Sequence, residues 1–192
     1  MTDKNRGTTQ TGFAKRYADF VARLRVPVGF VMVVAFAWFA RPTVESVGLG
    51  ALVGLLGLFL RAWAAGLLRK NSVLTVGGPY AFIRNPLYVG TLIVAAGMAF
   101  AAQEWLLAVL FAFVFLLIYL PAIMLEEQHL ADLFPEFADY ARRVPLLIPY
   151  RTPYPSTQRF SLSQYFHNRE YEAALGFLAG IAFLLVKATY LR

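Results

Sequence analysis

The chain has 192 residues, of which 59% are hydrophobic and 15% are charged, with a formal net charge of +7. A soluble domain carries about 25% charged residues and could not bury this much apolar surface, so a soluble fold is excluded. The absence of cysteine excludes disulfides, zinc–thiolate sites, iron–sulfur clusters and a cysteine nucleophile. The positive charge is typical of basic loops beside a membrane, so we expect the lipid bilayer, and not nucleic acid, as the partner.

Residues 1–25 are predicted to form an amphipathic N-terminal arm that lies in the membrane interface. Its apolar side chains share one helical face, while charged ones occupy the others; the apolar set is Phe13, Tyr17, Phe20, Val21 and Leu24. A cleaved signal peptide is the alternative, because residues 26–40 are apolar and the Ala-Phe-Ala at 35–37 resembles a cleavage site. The length and pattern of the arm favour the interfacial helix.

Five apolar segments predict an all-α, polytopic membrane bundle of about five transmembrane helices. They cover residues 26–40, 47–68, 86–102, 105–125 and 173–191. The third and fourth form a hairpin that turns near Gln103 and Glu104, and the GxxxG spacing of Gly50 and Gly54 predicts close helix packing within the bundle. We expect residues 26–150 to form the core and residues 151–192 to form an interfacial connector and a final helix.

Basic residues are distributed unevenly between the two predicted sides. Fifteen of the 18 fall on one side if the arm, the loop after the second span and the connector share it; opposite lie Arg41, Lys187 and Arg192. The positive-inside rule makes the basic side cytoplasmic, with the N-terminus inside and the C-terminus outside. We therefore expect a multi-pass protein of a bacterial inner membrane.

Polar residues are costly at membrane depth, so the two clusters they form are informative. The first begins with the turn at residues 77–79, Gly-Gly-Pro. Asn85 and Pro86 are typical of an N-cap and a first helical residue, so the helix N-terminus and Arg84 together predict an anion site. Gly90, one turn into the helix, would let a ligand approach the backbone.

The second cluster is Glu126 and Glu127, at the end of the fourth span. Because spans three and four form a hairpin, Arg84 and these glutamates are predicted to emerge on the same cytoplasmic face. Such a face suits a zwitterionic ligand, with anion contacts at one end and acceptors for ammonium or hydroxyl groups at the other. Each feature alone also fits an ordinary helix end, but their combination favours a binding site.

At these residues the chain resembles the isoprenylcysteine carboxyl methyltransferases, which are related to the membrane phospholipid methyltransferases. Residues 78–80 (Gly-Pro-Tyr) and 84–90 (Arg-Asn-Pro-Leu-Tyr-Val-Gly) resemble that family's first motif, and the segment from Glu126 to the prolines at 145 and 149 resembles its tail. The resemblance covers residues 47–149. The chain departs from the family at Asn85, where histidine is usual, and at Pro135, where glycine is usual.

The resemblance implies methyl transfer from S-adenosylmethionine to a lipophilic or membrane-associated acceptor, either an isoprenylcysteine-type carboxylate or a lipid amine. It implies catalytic roles for Arg84 and Glu127. The expected cofactor-binding residues are Tyr80, Arg84, Asn85, Pro86, Tyr88, Gly90, Glu126 and Glu127. Arg84 would bind the methionine carboxylate, and a glutamate would accept from the α-ammonium or ribose hydroxyls.

Three other functions compete with this prediction. An NAD(P)H-dependent membrane reductase of the sterol-reductase type would share the hairpin, but the chain is short for it and the paired glutamates suit a methyltransferase better. Glu126 and His129 have the ligand spacing of a diiron oxidase, yet no second such pair exists, so no metal is expected. A transporter or scaffold would place polar groups at mid-membrane and show repeats, whereas the polar groups here cluster at one interface and the sequence has no internal repeat.

Overall fold

The computed structural model describes residues 27–190, and that part of the chain is helical, without strands. Its seven α-helices are α1 Pro27–Phe39, α2 Val44–Ala65, α3 Pro86–Ala102, α4 Trp105–Leu133, α5 Phe137–Arg143, α6 Leu162–His167 and α7 Tyr171–Tyr190. The predicted helical membrane bundle is confirmed. The amphipathic arm predicted for residues 1–25 lies outside the described residues.

Helices α1, α2, α3, α4 and α7 run alternately up and down. At one end the Arg41 backbone N–H donates to the Ala102 carbonyl over 2.7 Å, and the Lys187 ammonium donates to the Ala37 carbonyl over 2.7 Å. A buried apolar cluster closes this end and contains Ala40, Val47, Ala101, Ala102, Leu107 and Leu184. The opposite end, called the site end below, therefore gathers the end of α2, the start of α3, the end of α4 and the start of α7.

Within residues 27–190, three helices, α2, α4 and α7, are long and apolar enough to cross a membrane, whereas α1 and α3 are shorter apolar helices in the same bundle. Helix α4 has 29 residues and at 1.5 Å per residue is about 44 Å long, which exceeds the roughly 30 Å hydrocarbon core. It runs past the predicted end at residue 125 because the polar residues that follow are compatible with helix. The extension carries Glu126 and Glu127 beyond the apolar part of the helix.

Helices α2 and α3 approach closely through facing glycines. A Cβ on Gly57 would lie 2.6 Å from the Gly90 carbonyl oxygen, and one on Gly97 would lie 2.5 Å from the Gly50 carbonyl oxygen. Only residues without a side chain permit this approach. The predicted role of the α2 glycines in packing within the bundle is confirmed, and the contact fixes where α3 begins relative to α2.

The connector before α7 lies against the loop that leads into α3. The Gln158 side chain accepts from the backbone N–H groups of Val76 and Gly77, each over 2.9 Å, and donates to the Leu74 carbonyl over 2.9 Å. The Tyr154 N–H donates to the Ala81 carbonyl over 2.9 Å. These bonds hold the residues that precede α3 in one conformation.

Candidate functional site

The first wall of the site is a short 3-10 turn, Gly78–Ala81. Gly78 has a φ of +55°, which a residue with a side chain rarely adopts, and a Cβ there would lie 2.8 Å from Leu67. The turn directs Tyr80 inward, and the Tyr140 hydroxyl fixes it by donating to the Tyr80 carbonyl over 2.7 Å. Tyr80 is therefore held from its backbone.

The Tyr80 hydroxyl is buried and has no hydrogen-bond partner. Burial raises the pKa of this phenol, and the negative charge of Glu126 raises it further. The group is therefore a protonated donor at neutral pH. A buried donor without an acceptor costs about 1–3 kcal/mol, so an acceptor atom supplied by a ligand would relieve an existing penalty.

Arg84 and Glu127 form the polar centre of the site. The Arg84 Nε lies 2.9 Å from Glu127 Oε1, and both side chains are largely buried, with exposed fractions of 17% and 19%. Although the Arg84 Nε and the Glu127 Oε1 are close, the Nε–H does not point at this oxygen and makes no hydrogen bond. The Arg84 Nη1 donates to the Ala141 carbonyl over 3.0 Å. As the hairpin predicted, the arginine and the glutamate are neighbours.

Asn85 stands at the start of α3, but its side chain does not cap the helix. Its Nδ2 instead donates to Glu127 Oε1 over 3.1 Å. Asn85 therefore occupies the predicted N-cap position, but its amide is turned toward the carboxylate on α4 and makes no capping bond. Pro86 is the first residue of the helix, as predicted.

Glu126 and Tyr88 form a second contact between α3 and α4. The Tyr88 hydroxyl donates to Glu126 Oε2 over 3.2 Å, and its ring meets the edge of Tyr119 at a centroid distance of 6.2 Å. Tyr119 ends a π-helical turn, Phe115–Tyr119, within α4. Pro121 accounts for the wide turn, because its ring conflicts with the carbonyl four residues earlier. The irregular turn thus accompanies the placement of an aromatic ring beside Tyr88.

A pocket of about 150 Å³ lies at the site end of the bundle. Seven of the eight predicted site residues line it: Tyr80, Arg84, Asn85, Pro86, Tyr88, Glu126 and Glu127. Pockets for small molecules usually have volumes of about 300–1,000 Å³. A nucleoside-sized ligand would therefore require the exposed lining, such as Arg69 and Lys70, to move outward.

Gly90 is the predicted residue that the structure places elsewhere. It does not line the pocket, and a Cβ on it would lie 2.5 Å from the Arg61 Cγ and 2.8 Å from the Gly57 carbonyl oxygen. The residue therefore serves contact with α2. Beside it, Arg61 pairs with Glu170 over 2.5 Å and donates to the Leu87 carbonyl over 3.3 Å. This ion pair fastens the connector to α2 and α3 behind the site.

Two aromatic residues that contact predicted site residues, Tyr140 and Tyr119, were not selected from the sequence. Tyr140 lies in the tail that carried the family resemblance, so its place in that motif was the available signal. Tyr119 had no signal, because its ring is brought to Tyr88 by the irregular turn of α4. Within residues 27–190, no three side chains of His, Cys, Asp or Glu gather as a metal site. His129 instead lies 3.3 Å from the Asn71 amide oxygen.

Comparison with known proteins bears directly on this geometry. A sequence profile of the family described as "Phospholipid methyltransferase" matches residues 24–136, more than half of the chain and all of the pocket's charged centre. The chain belongs to the phospholipid methyltransferase family. This confirms the group of membrane methyltransferases to which the motifs pointed.

Proteins similar to this chain carry two kinds of name. The chain is 33% identical over 162 residues to the cobalt-zinc-cadmium resistance protein CzcN of Cupriavidus metallidurans, covering 78% of this chain and 75% of the relative. It is 39% identical over 104 residues to the nickel-cobalt-cadmium resistance protein NccN of Alcaligenes xylosoxydans xylosoxydans, covering 50% and 48%.

The third similar protein is named for an enzyme activity. It is the protein-S-isoprenylcysteine O-methyltransferase of Schizosaccharomyces pombe, 32% identical over 81 residues, which cover 42% of this chain and 34% of the relative. No solved structure matches the chain significantly.

Proposed function

We propose that this chain transfers the methyl group of S-adenosylmethionine to a lipophilic or membrane-associated acceptor at the site end of the bundle. The observation that carries the proposal is the Arg84–Glu127 pair. It lies at 2.9 Å in a pocket that also holds Glu126 and the Tyr80 hydroxyl. Membership of a methyltransferase family supports the chemistry, and the pocket supplies charges that match the zwitterionic methionine part of the cofactor.

The unpartnered donors fit this cofactor. The Arg84 Nε–H and the Tyr80 O–H are both buried and unsatisfied, and both residues line the pocket. They would donate to the methionine carboxylate or to another oxygen acceptor on the ligand. Glu126 and Glu127 would accept from the α-ammonium or the ribose hydroxyls. Tyr88 would lie against the adenine or the charged sulfur.

When bound, S-adenosylmethionine would supply a methyl group on a positively charged sulfur: the acceptor lone pair bonds to the methyl carbon as the carbon–sulfur bond breaks, and the neutral thioether product leaves. The contribution of the protein is then mainly alignment of the acceptor with the methyl group. The bonds from Asn85 and Tyr88 to the α4 glutamates would hold the pocket residues for this alignment. An amine acceptor loses a proton during the reaction, and Glu126, the more loosely held carboxylate, would accept it. A carboxylate acceptor would need no base.

The acceptor is proposed to meet the site at the cytoplasmic side of the membrane. The site end carries Arg61, Arg69, Lys70, Arg84 and Arg169, and the positive-inside rule assigns such an end to the cytoplasm. A lipid acceptor would reach the pocket sideways, because lifting its tail into water costs about 0.8 kcal/mol per methylene.

Cofactor binding by the purified full-length protein in detergent tests the proposal. Isothermal titration with S-adenosylmethionine and its demethylated product should show binding, and Arg84→Ala and Glu127→Gln should each weaken it. A hydrogen bond to a charged group contributes about 1.5–3 kcal/mol, so Kd should rise roughly 10- to 150-fold. Glu104→Gln, a carboxylate at the opposite end, is the matched control and should bind normally.

Unchanged affinity in both site variants would contradict the proposal. Binding of NADPH in place of S-adenosylmethionine would also contradict it, and would favour the reductase alternative.

A further inference from the structure

A second hollow, of about 600 Å³, adjoins the candidate site and is strongly basic. Its lining contains four basic side chains, Arg69, Lys70, His167 and Arg169, and no acidic ones. The other lining residues are Ser72, Gln164 and Asn168. Arg69 and Lys70 also line the candidate pocket, so the turn that contains them separates the hollow from that pocket. The proposed methyl transfer uses none of the hollow's other residues.

The positive charge of the hollow is largely uncompensated. Among the described residues, the ion pairs involve neither Arg69 nor Lys70, and Arg169 has only the exposed Glu172, at 3.5 Å. An exposed pair at this separation contributes little. The hollow therefore attracts an anion.

Asn168 brings the basic residues of two chain segments together. Its side-chain Nδ2 donates to the carbonyls of Ala65 and Leu68, over 2.8 and 2.9 Å, and so joins the connector to the end of α2. Arg69 is the residue after Leu68, and Arg169 is the residue after Asn168. Arg169 has a φ of +54°, a conformation uncommon outside glycine. The hollow is thus built from fixed backbone, although its charged side chains are exposed.

The hollow lies at the depth of the membrane surface. Arg69 follows α2 by four residues, and Arg169 precedes α7 by two, and both of these helices are long and apolar enough to cross a membrane. Helix α6 contributes Gln164 and His167 to the hollow and exposes Leu162 and Phe166. A cationic hollow at two span ends, bordered by a short helix with exposed apolar side chains, is typical of an interfacial surface.

We propose that this hollow binds the phosphate of an anionic membrane phospholipid, with the acyl chains against the exposed side chains of α6. The cations would neutralise the headgroup, and Leu162 and Phe166 would contact the start of the tails. This site is additional to the methyl-transfer pocket and does not depend on its function. A lipid held there would keep the connector, and the loop it supports, against the membrane surface.

Another basic hollow, away from the one that carries the proposal, provides a matched control. It contains Arg142, Arg143 and Arg151, but each of these arginines already has a contact within the protein. Arg142 pairs with Asp139, and Arg143 lies over the ring of Tyr154, 5.7 Å from its centroid. Arg69→Gln/Arg169→Gln and Arg142→Gln/Arg143→Gln each remove two charges, the first pair from the hollow beside the candidate pocket and the second pair from the control hollow.

The experiment is native mass spectrometry of the full-length protein in detergent, titrated with phosphatidylglycerol or phosphatidylcholine of the same chain length. Wild type should retain one phosphatidylglycerol in preference to phosphatidylcholine. A basic residue near an anionic surface contributes about fivefold in affinity, so the Arg69/Arg169 variant should bind roughly 30-fold more weakly. The Arg142/Arg143 variant should bind like wild type, and inorganic phosphate should not displace the lipid.

Equal loss in the two double variants would overturn the proposal, as would equal retention of phosphatidylcholine by wild type. Displacement by millimolar inorganic phosphate would also overturn it, because it would show a site for free phosphate. Salt dependence of wild-type retention gives a measurement free of folding effects in the variants. Retention should fall as sodium chloride rises, and insensitivity to salt would contradict the assignment.

Discussion

Arg84 and Glu127 lie 2.9 Å apart, although one precedes α3 and the other belongs to the last part of α4. Asn85 donates to the same Glu127 oxygen, so this carboxylate joins the start of one helix to the end of the next. The pair therefore has two consequences, one for the stability of the helix contact and one for ligand binding.

Replacement of Arg84 by alanine should lower stability in detergent. It removes the charge beside Glu127 and the bond to the Ala141 carbonyl, and leaves a largely buried carboxylate with Asn85. The loss should be on the order of 1.5–3 kcal/mol and is measured as a lower midpoint of thermal unfolding. Arg142→Ala, whose partner Asp139 is exposed, should have a much smaller effect. Equal shifts would contradict the assigned importance of the buried pair.

Tyr80→Phe and Tyr140→Phe should have opposite patterns of effect. The Tyr80 hydroxyl has no partner in the protein, so its removal should leave the unfolding midpoint unchanged or raised, and should weaken cofactor binding. The Tyr140 hydroxyl donates to the Tyr80 carbonyl, so its removal should cost about 1 kcal/mol of stability. Thermal unfolding and titration calorimetry on both variants measure this difference. Normal cofactor affinity in Tyr80→Phe would remove its hydroxyl from the site.

Stability should fall at alkaline pH because of these two phenols. Burial raises the pKa of both Tyr80 and Tyr140 above that of an unfolded tyrosine. The folded state therefore binds their protons more tightly, so their contribution is fully present below about pH 10 and is lost as the pH rises further. Unfolding midpoints measured from pH 8 to 11 should stay level up to about pH 10 and then decline, with a shallower decline in Tyr80→Phe. An identical pH profile in that variant would contradict the assignment.

The site end should face the cytoplasm. Reporter fusions placed after Lys70 and after Pro149 should report the cytoplasm, and a fusion at the C-terminus should report the opposite side. The reason is the concentration of lysine and arginine at the ends of α2 and α7 nearest the site. A cytoplasmic C-terminus would contradict the five-crossing arrangement.

The helix hairpin and the meeting of Arg84 with Glu127 followed from the sequence, because local signals determine both. Apolar runs predicted α3 and α4, and the tight turn near Gln103, which has a φ of +53°, returned the chain to the same face. Because both polar clusters lie at the same end of this hairpin, Arg84 and the two glutamates were expected to be neighbours.

Other parts of the site depend on contacts between segments distant in the sequence. Gly90 has the pattern of a ligand-approach glycine, but its position opposite Gly57 is set by how α2 and α3 pack. The sequence around Asn85 is typical of a capping residue, but its side chain donates to Glu127 on α4 instead. The support that Gln158 gives to the loop before α3, and Asn168 to the end of α2, could not be predicted either, because these bonds join residues 82 and 103 positions apart in the sequence.

The central claim is tested most directly by methyl transfer itself. Purified protein reconstituted with bacterial membrane lipids is incubated with S-adenosylmethionine labelled at the methyl group, and the label is followed into the lipid-extractable and protein fractions. Wild type should transfer label to an acceptor in the membrane fraction, and Glu127→Gln should transfer markedly less, while Glu104→Gln retains wild-type transfer. Absence of label in every fraction, although the protein binds the cofactor, or equal transfer by Glu127→Gln, would contradict the account.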